Sequence, residues 1–172
     1  MISKKMQEAL NGQINSEFYS AYLYLSMVAY FESINLPGFA NWMRVQTQEE
    51  HIHTMKIYDY VNERNGRVTL KSIAEPPSEW ESPLAAFEAA YQHEQKVTGL
   101  VNGLINLAIE EKDHAANMFL QWFVNEQVEE ENSAETVVQK LKLIADAPGG
   151  RYMLDSEMAQ RVFTPPAVEG EK

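Results

Sequence analysis

The sequence predicts an all-α fold: a four-helix bundle with a long crossover between helices 2 and 3 and a short fifth C-terminal helix. Three observations predict it. Four long stretches repeat apolar residues in steps of three and four, the period of a helix packed on one face. Breakers containing Pro or Gly separate these stretches. Each apolar stripe also carries, near its middle, polar residues where the period calls for hydrocarbon.

The first stretch, 3–33, contains no Pro and places Leu10, Ile14, Ala21, Val28 and Phe31 on one face, with Glu17 and Tyr24 filling the same stripe. Asn35-Leu36-Pro37-Gly38 breaks it, so the second helix returns antiparallel. That helix, 39–65, runs Phe39, Met43, Gln46, Glu50, His53, Ile57, Tyr60 along its face and ends on Asn65-Gly66, a C-terminal signal. From 67 to 82 the period fails, and Pro76-Pro77 and Pro83 exclude a helix. Sixteen extended residues reach about 50 Å, and a helix of 27 residues is about 40 Å long, so this segment can run the length of the bundle. Pro83 suits the first turn of a third helix to 111, with stripe Phe87, Tyr91, Glu94, Thr98, Val101, Ile105, Ala108. Asp113 is the expected N-cap of a fourth, 114–145, whose stripe includes Leu120, Phe123, Gln127, Glu130 and Val137. Ala147-Pro148-Gly149-Gly150 reads as its stop, and 151–161 as the fifth helix. One domain therefore spans 1–164, and 165–172 is expected to be a mobile tail.

Composition bounds the function. A formal charge of -11 argues against nucleic acid or an anionic membrane as partner and favours cations. No stretch approaches 18 uncharged apolar residues and no apolar segment follows the N-terminus, so no membrane span or secretory signal is expected and the location is read as cytoplasmic. The absence of Cys removes disulfides, thiolate metal sites and thiol nucleophiles.

The chemistry lies in the stripes. Glu50 and His53 are three residues apart and stack on one helical face, so both point at one place. In a bundle of nearly parallel axes the helix midpoints share a level. Glu17, Glu50 with His53, Glu94, and Gln127 with Glu130 then converge in the core. Four buried carboxylates cannot stay charged without cations. Oxygen ligands with a single imidazole suit iron or manganese, and several bridging carboxylates suggest two metals. Di-iron carboxylate bundles use single Glu residues from two helices and Glu-x-x-His from each of the others. Here the fourth helix departs, with Gln127-x-x-Glu130. Glu126, Glu129, Glu130 and Glu131, with Glu49, form an adjoining acidic cluster whose repulsion a further cation would offset. Taken singly, these residues have ordinary readings: a solvated acidic face, a surface pair, a core Tyr. His51, His93 and His114 read as surface histidines, and Met27, Met43, Met55 and Met118 as packing residues.

The sequence resembles the non-haem ferritins of bacteria and archaea. The resemblance runs from Asn15-Ser16-Glu17 to Tyr24-Leu25, through Gln48-Glu49-Glu50-His51-Ile52-His53, Pro76-Pro77-Ser78-Glu79-Trp80 and His93-Glu94, to Phe119-Leu120-Gln121-Trp122-Phe123-Val124-Asn125-Glu126-Gln127-Val128-Glu129-Glu130-Glu131. It implies a homo-oligomeric cage of 24 subunits that oxidises Fe(II) with dioxygen or hydrogen peroxide and stores Fe(III) mineral. It implies that Glu17, Glu50 and His53 hold one iron. Glu94 and Glu130 hold the other, with Glu50 bridging and Gln127 nearby. Glu49, Glu126, Glu129 and Glu130 match a third iron site. Tyr24 matches a tyrosine able to supply an electron, and Trp122 a residue able to contribute similarly. A bacterioferritin would carry a second Glu-x-x-His on the fourth helix and a haem-ligating Met where His51 stands, so haem is not expected. A rubrerythrin would add a Cys-rich iron domain. A DNA-protecting miniferritin places its ligands between subunits and often has a basic tail, whereas this tail is acidic. The alternatives are a di-metal oxidoreductase or peroxide-scavenging enzyme without storage, and a structural cage without redox chemistry.

Overall fold

The computed structural model describes residues 2–145 and 147–165. Five helices follow in order: α1 (Lys4–Ser33), α2 (Pro37–Glu63), α3 (Pro83–Glu110), α4 (His114–Ile144) and α5 (Pro148–Met158), with no strand among the described residues. α1 and α2 form one antiparallel hairpin and α3 and α4 another, joined side by side chiefly through α1 and α3.

Local chemistry fixes the ends. Ser3 caps α1 by accepting from the Met6 amide at 3.0 Å. Ser82 caps α3 and Asp113 caps α4 in the same way, at 3.1 and 3.0 Å. Asn35 and Asn65 turn the chain in the left-handed region, with φ of 58° and 56°. Past Asn65, the Gly66 amide closes back onto the Val61 carbonyl at 2.8 Å. The crossover, residues 64–82, is pinned along α1: Asn11 donates to the Arg67 carbonyl, Asn15 to that of Ser72 and Ser26 to that of Pro77.

The boundary expected for the last helix is wrong by three residues. Pro-Gly-Gly does not stop the chain here but opens α5, because Pro at the first helical position loses no hydrogen bond. The third stripe also differs from the expected one, burying Ala90, Val97 and Leu104 rather than Tyr91, Thr98 and Ile105: the seven-residue repeat of Phe87, Glu94, Val101 and Ala108 holds, but the residue three rather than four positions on completes the face. Met118 is exposed rather than packed. The tail expected at 165–172 lies, from residue 166 on, outside the described residues.

α2 has no capping side chain of its own. Asp155 of α5 supplies one instead, its Oδ1 accepting from the Gly38 and Phe39 amides at 2.8 and 3.0 Å. The approach is so close that a Cβ at Gly38 would sit 1.7 Å from the Asp155 carbonyl oxygen. Gly38→Ala is therefore expected to undock α5, costing about 3 kcal/mol for two charge-assisted bonds. Faster trypsin cleavage at Arg151 or Arg161 will report it; cleavage at the parent rate would refute this role for Gly38.

The core is in two parts. Phe31, Phe39, Trp42, Phe87 and Leu141 fill the end nearest α5, and Leu10, Ile14, Ile57, Val101 and Phe123 fill the other. Between them lies a belt of buried polar side chains. There the two halves are held apart: no Cα of α2 lies within 8 Å of one in α4 among the described residues, and side chains alone bridge that gap.

Candidate metal centre

The belt contains every residue the stripes single out. Glu17, Glu50, His53, Glu94, Gln127 and Glu130 are all at most 7% exposed, and Tyr24 is 1% exposed. One helix supplies each element of the set, because each interrupts an apolar stripe at the level where four helices meet.

Three of the six converge tightly. Single ligand atoms of Glu17, Glu50 and His53 lie within 4.8 Å of one another, all buried. His53 Nδ1 is 3.5 Å from Glu50 Oε2. Gln13, one turn before Glu17, donates to its Oε1 at 2.7 Å, whereas Glu17 Oε2 is buried without a partner. An orphaned carboxylate oxygen in a dry core costs several kcal/mol unless a cation takes it up. The donor set, two carboxylates and an imidazole, suits a first-row divalent metal.

Glu94 and Glu130 stand beside this group, but the three-way approach does not include them. Tyr24 donates its hydroxyl proton to Glu94 Oε1, and Gln127 donates to Glu94 Oε2 at 3.1 Å. Gln46 donates to Glu130. These neutral donors hold the two carboxylates without neutralising them. Burial therefore pushes Glu130 up to about 8, with the Glu94 charge adding to it. Burial raises Glu50 well above the usual carboxylate range, and Glu94 and Glu130 raise it further. Glu17 is raised by burial and then by Glu50, and Glu94 by burial. Tyr24 is pushed up by burial and by the neighbouring carboxylates. Without a cation, the belt holds protons at neutral pH.

The second acidic group opens to the outside. Glu49, Glu126, Glu129 and Glu130 line a cavity of about 520 Å³ together with His53 and Trp122. Glu126 Oε2 lies 4.0 Å from His53 Nε2, which connects this cavity to the buried trio. Burial raises both Glu49 and Glu126. The Trp122 ring meets the His53 ring edge to face at 5.4 Å, with Lys56 Nζ 4.5 Å from the Trp122 centroid.

Sequence reasoning missed three members. Gln46 stood in the α2 stripe, yet its partner on α4 has no local signature. Arg161, beyond α5, reaches Glu49 at 2.6 Å. His93 is a correction: it is partly buried, bonded to Ser20 at 2.8 Å and set edge-on against Tyr24. Burial lowers it to about 4, so it is neutral at physiological pH. His51 and His114 are exposed, as expected.

An all-helical bundle with a carboxylate–imidazole trio at its centre defines the ferritin-like class of proteins. The family model described as Ferritin-like domain matches residues 7–144. The bacterial non-heme ferritin of Bacteroides fragilis is 45% identical over 161 residues, covering 94% of this chain and 100% of that protein. That of Staphylococcus haemolyticus is 41% identical over 163 residues, covering 95% and 98%. Among solved structures, the open-pore ferritin of the hyperthermophilic archaeon Archaeoglobus fulgidus superposes with a TM-score of 0.94 at 58% identity, covering 94% of this chain and 100% of that one. A closed form of the same archaeal ferritin, made by site-directed mutagenesis, matches equally well, at 0.94 and 58%, over 95% and 100%. The chain belongs to the ferritin family. Family and site together make it a non-haem, iron-storing ferritin with ferroxidase activity.

Proposed function

We propose that Fe(II) is oxidised at a di-iron centre inside each subunit and stored as Fe(III) within a cage of 24 copies. The observation that carries the centre is the buried trio with its orphaned Glu17 oxygen. Glu17, Glu50 and His53 bind the first Fe(II). Glu94 and Glu130 bind the second, with Glu50 shared between them and Gln127 holding Glu94 in place. Glu49, Glu126 and Glu129, with Glu130, bind a third on the side of the open cavity.

The electron balance gives each part a role. Two Fe(II) supply two electrons, enough to take dioxygen and two protons to hydrogen peroxide, or hydrogen peroxide and two protons to two waters. A third Fe(II) supplies a third electron. Tyr24, losing its phenolic hydrogen as an electron and a proton, supplies a fourth, which completes the reduction of dioxygen to water. Its hydroxyl already points at Glu94, which can receive that proton. Trp122, against the His53 ring, is an alternative source of that fourth electron. Anionic ligands favour Fe(III) over Fe(II), which drives the transfer.

Large apolar side chains left open on the single chain, such as Tyr22, Leu25 and Met153, support burial against further copies. No helix among the described residues is long and apolar enough to cross a membrane, and a cytoplasmic location is proposed with the storage role.

Stopped-flow Fe(II) oxidation tests the assignment of sites. Glu130→Ala is expected to slow oxidation about tenfold more than Glu129→Ala, because Glu130 is buried in the centre and Glu129 lines only the cavity. Equal slowing would sink the division into first and third sites.

A further inference from the structure

The chain beyond α5 does not simply leave the bundle. Asn41 of α2 donates to the carbonyls of Met158 and Arg161, at 3.2 and 3.0 Å, and so fixes the turn that follows α5. That turn delivers Arg161 to the rim of the acidic cavity. Its guanidinium lies over the Trp42 ring at 4.3 Å and donates to the Trp42 carbonyl at 3.3 Å. The same Nη1 donates to Gln46 Oε1 at 2.9 Å, and Nη2 to Glu49 Oε2 at 2.6 Å. Both charged partners are about three-quarters covered, with side-chain exposures of 22% and 24%, so this pair is less screened than a surface ion pair.

Two consequences follow from the atoms alone. First, Arg161 occupies one oxygen of Glu49, the carboxylate that a metal in the cavity needs. Second, because the Gln46 carbonyl accepts from Arg161, its NH2 group must face the other way, and there it donates to Glu130. A single cation outside the helices thereby holds one carboxylate of the cavity directly and one of the buried centre through an amide.

We propose that Arg161 is a positioning residue that sets metal occupancy on the cavity side. It is the cation resident on Glu49, which an incoming Fe(II) must displace, and it fixes Glu130 through Gln46. The proposal rests on the assignment of a third iron to Glu49, Glu126 and Glu129. Displacement keeps that third iron loosely held, so that oxidised iron can leave toward the mineral. It also couples the segment after α5 to the filling of the centre.

Anaerobic calorimetric titration of Fe(II) into the assembled metal-free protein at neutral pH tests it. Wild type is expected to bind two Fe(II) per subunit tightly and a third more weakly, with Glu129→Ala losing the third. Arg161→Ala is expected to tighten the third by at least about tenfold, the loss of a competing interaction of roughly 1.4 kcal/mol. Arg161→Lys keeps the charge but loses the two-pronged grip, and its third affinity should fall between the two. A third Fe(II) present but bound equally by wild type and both variants overturns the role of Arg161 and leaves the third site standing. Absence of any third binding in wild type, with Glu129→Ala indistinguishable, overturns both. A mere tether for the chain end would lower the melting temperature of Arg161→Ala without moving the affinity, and that result also overturns the proposal.

Discussion

Glu50→Ala is expected to lower the rate of Fe(II) oxidation by at least about a hundredfold while leaving the metal-free protein as stable as its parent. The rate estimate is a lower bound, because losing an outer partner of a metal ligand already costs about 10–100-fold, and Glu50 is the carboxylate assigned to both irons. The stability expectation comes from the opposite side of the same residue. Glu50 is 2% exposed and faces Glu94 and Glu130, whose charges raise it further after burial has done so. Removing it relieves a desolvated, repelled carboxyl, which offsets the cavity that truncation leaves. Stopped-flow absorbance in air reads the first effect and calorimetry of the metal-free protein the second. Parent-like oxidation in this variant would falsify the placement of the centre. A large fall in melting temperature with no metal present would show that Glu50 is chiefly a structural residue.

The second large effect is on pH. In the unfolded chain the carboxyls of the belt titrate near pH 4.5, whereas in the folded, metal-free protein Glu130 titrates at about 8, and Glu17 and Glu50 are raised as well. The folded state therefore keeps protons that the unfolded state has already released. Stability contributed by these groups is complete below about pH 4.5 and is lost as pH climbs through the folded value near 8. A loss on the order of a few kcal/mol between pH 5 and 8 is expected, or about 10 °C in melting temperature for a chain of this size. Zn(II), which is inert to oxidation, should abolish the slope by taking the place of the protons, and its binding at pH 7 should release them into a weak buffer. Glu130→Gln should flatten the slope of the metal-free protein. A metal-free melting temperature that rises from pH 5 to 8 would show that the belt is charged and already compensated.

The parts of the molecule that the sequence made legible share one property: each is periodic or local. Glu17, Glu50, Glu94 and Glu130 stood out because a helix repeats its buried face, and an acid at such a position contradicts its neighbours. Pro83 and Asp113 announced the starts of α3 and α4 because the signal of a helix start acts within one turn. What stayed hidden depends on partners far away along the chain. Asp155 capping α2, Gln46 meeting Glu130 and Arg161 meeting Glu49 arise only once the hairpins and α5 have packed. His93 was misread for the same reason. Its neighbour Glu94 marks the buried face, but only Ser20 and Tyr24 of α1 show that the ring beside it is covered too.

The way the ligands divide between the hairpins has a consequence for the order of assembly. Glu17, Glu50 and His53 all belong to α1 and α2, so the tight trio is encoded in the first 63 residues and is complete when that hairpin closes. Glu94 and Glu130 arrive only when the second hairpin, made later in synthesis, docks across the crossover. A metal captured by the first hairpin would neutralise the carboxylates that the second must approach, and so would speed docking. Iron would then be, for the nascent subunit, a folding ligand before it is a substrate. Refolding followed with and without a redox-inert divalent ion would separate the fast closure of each hairpin from the metal-sensitive joining of the two.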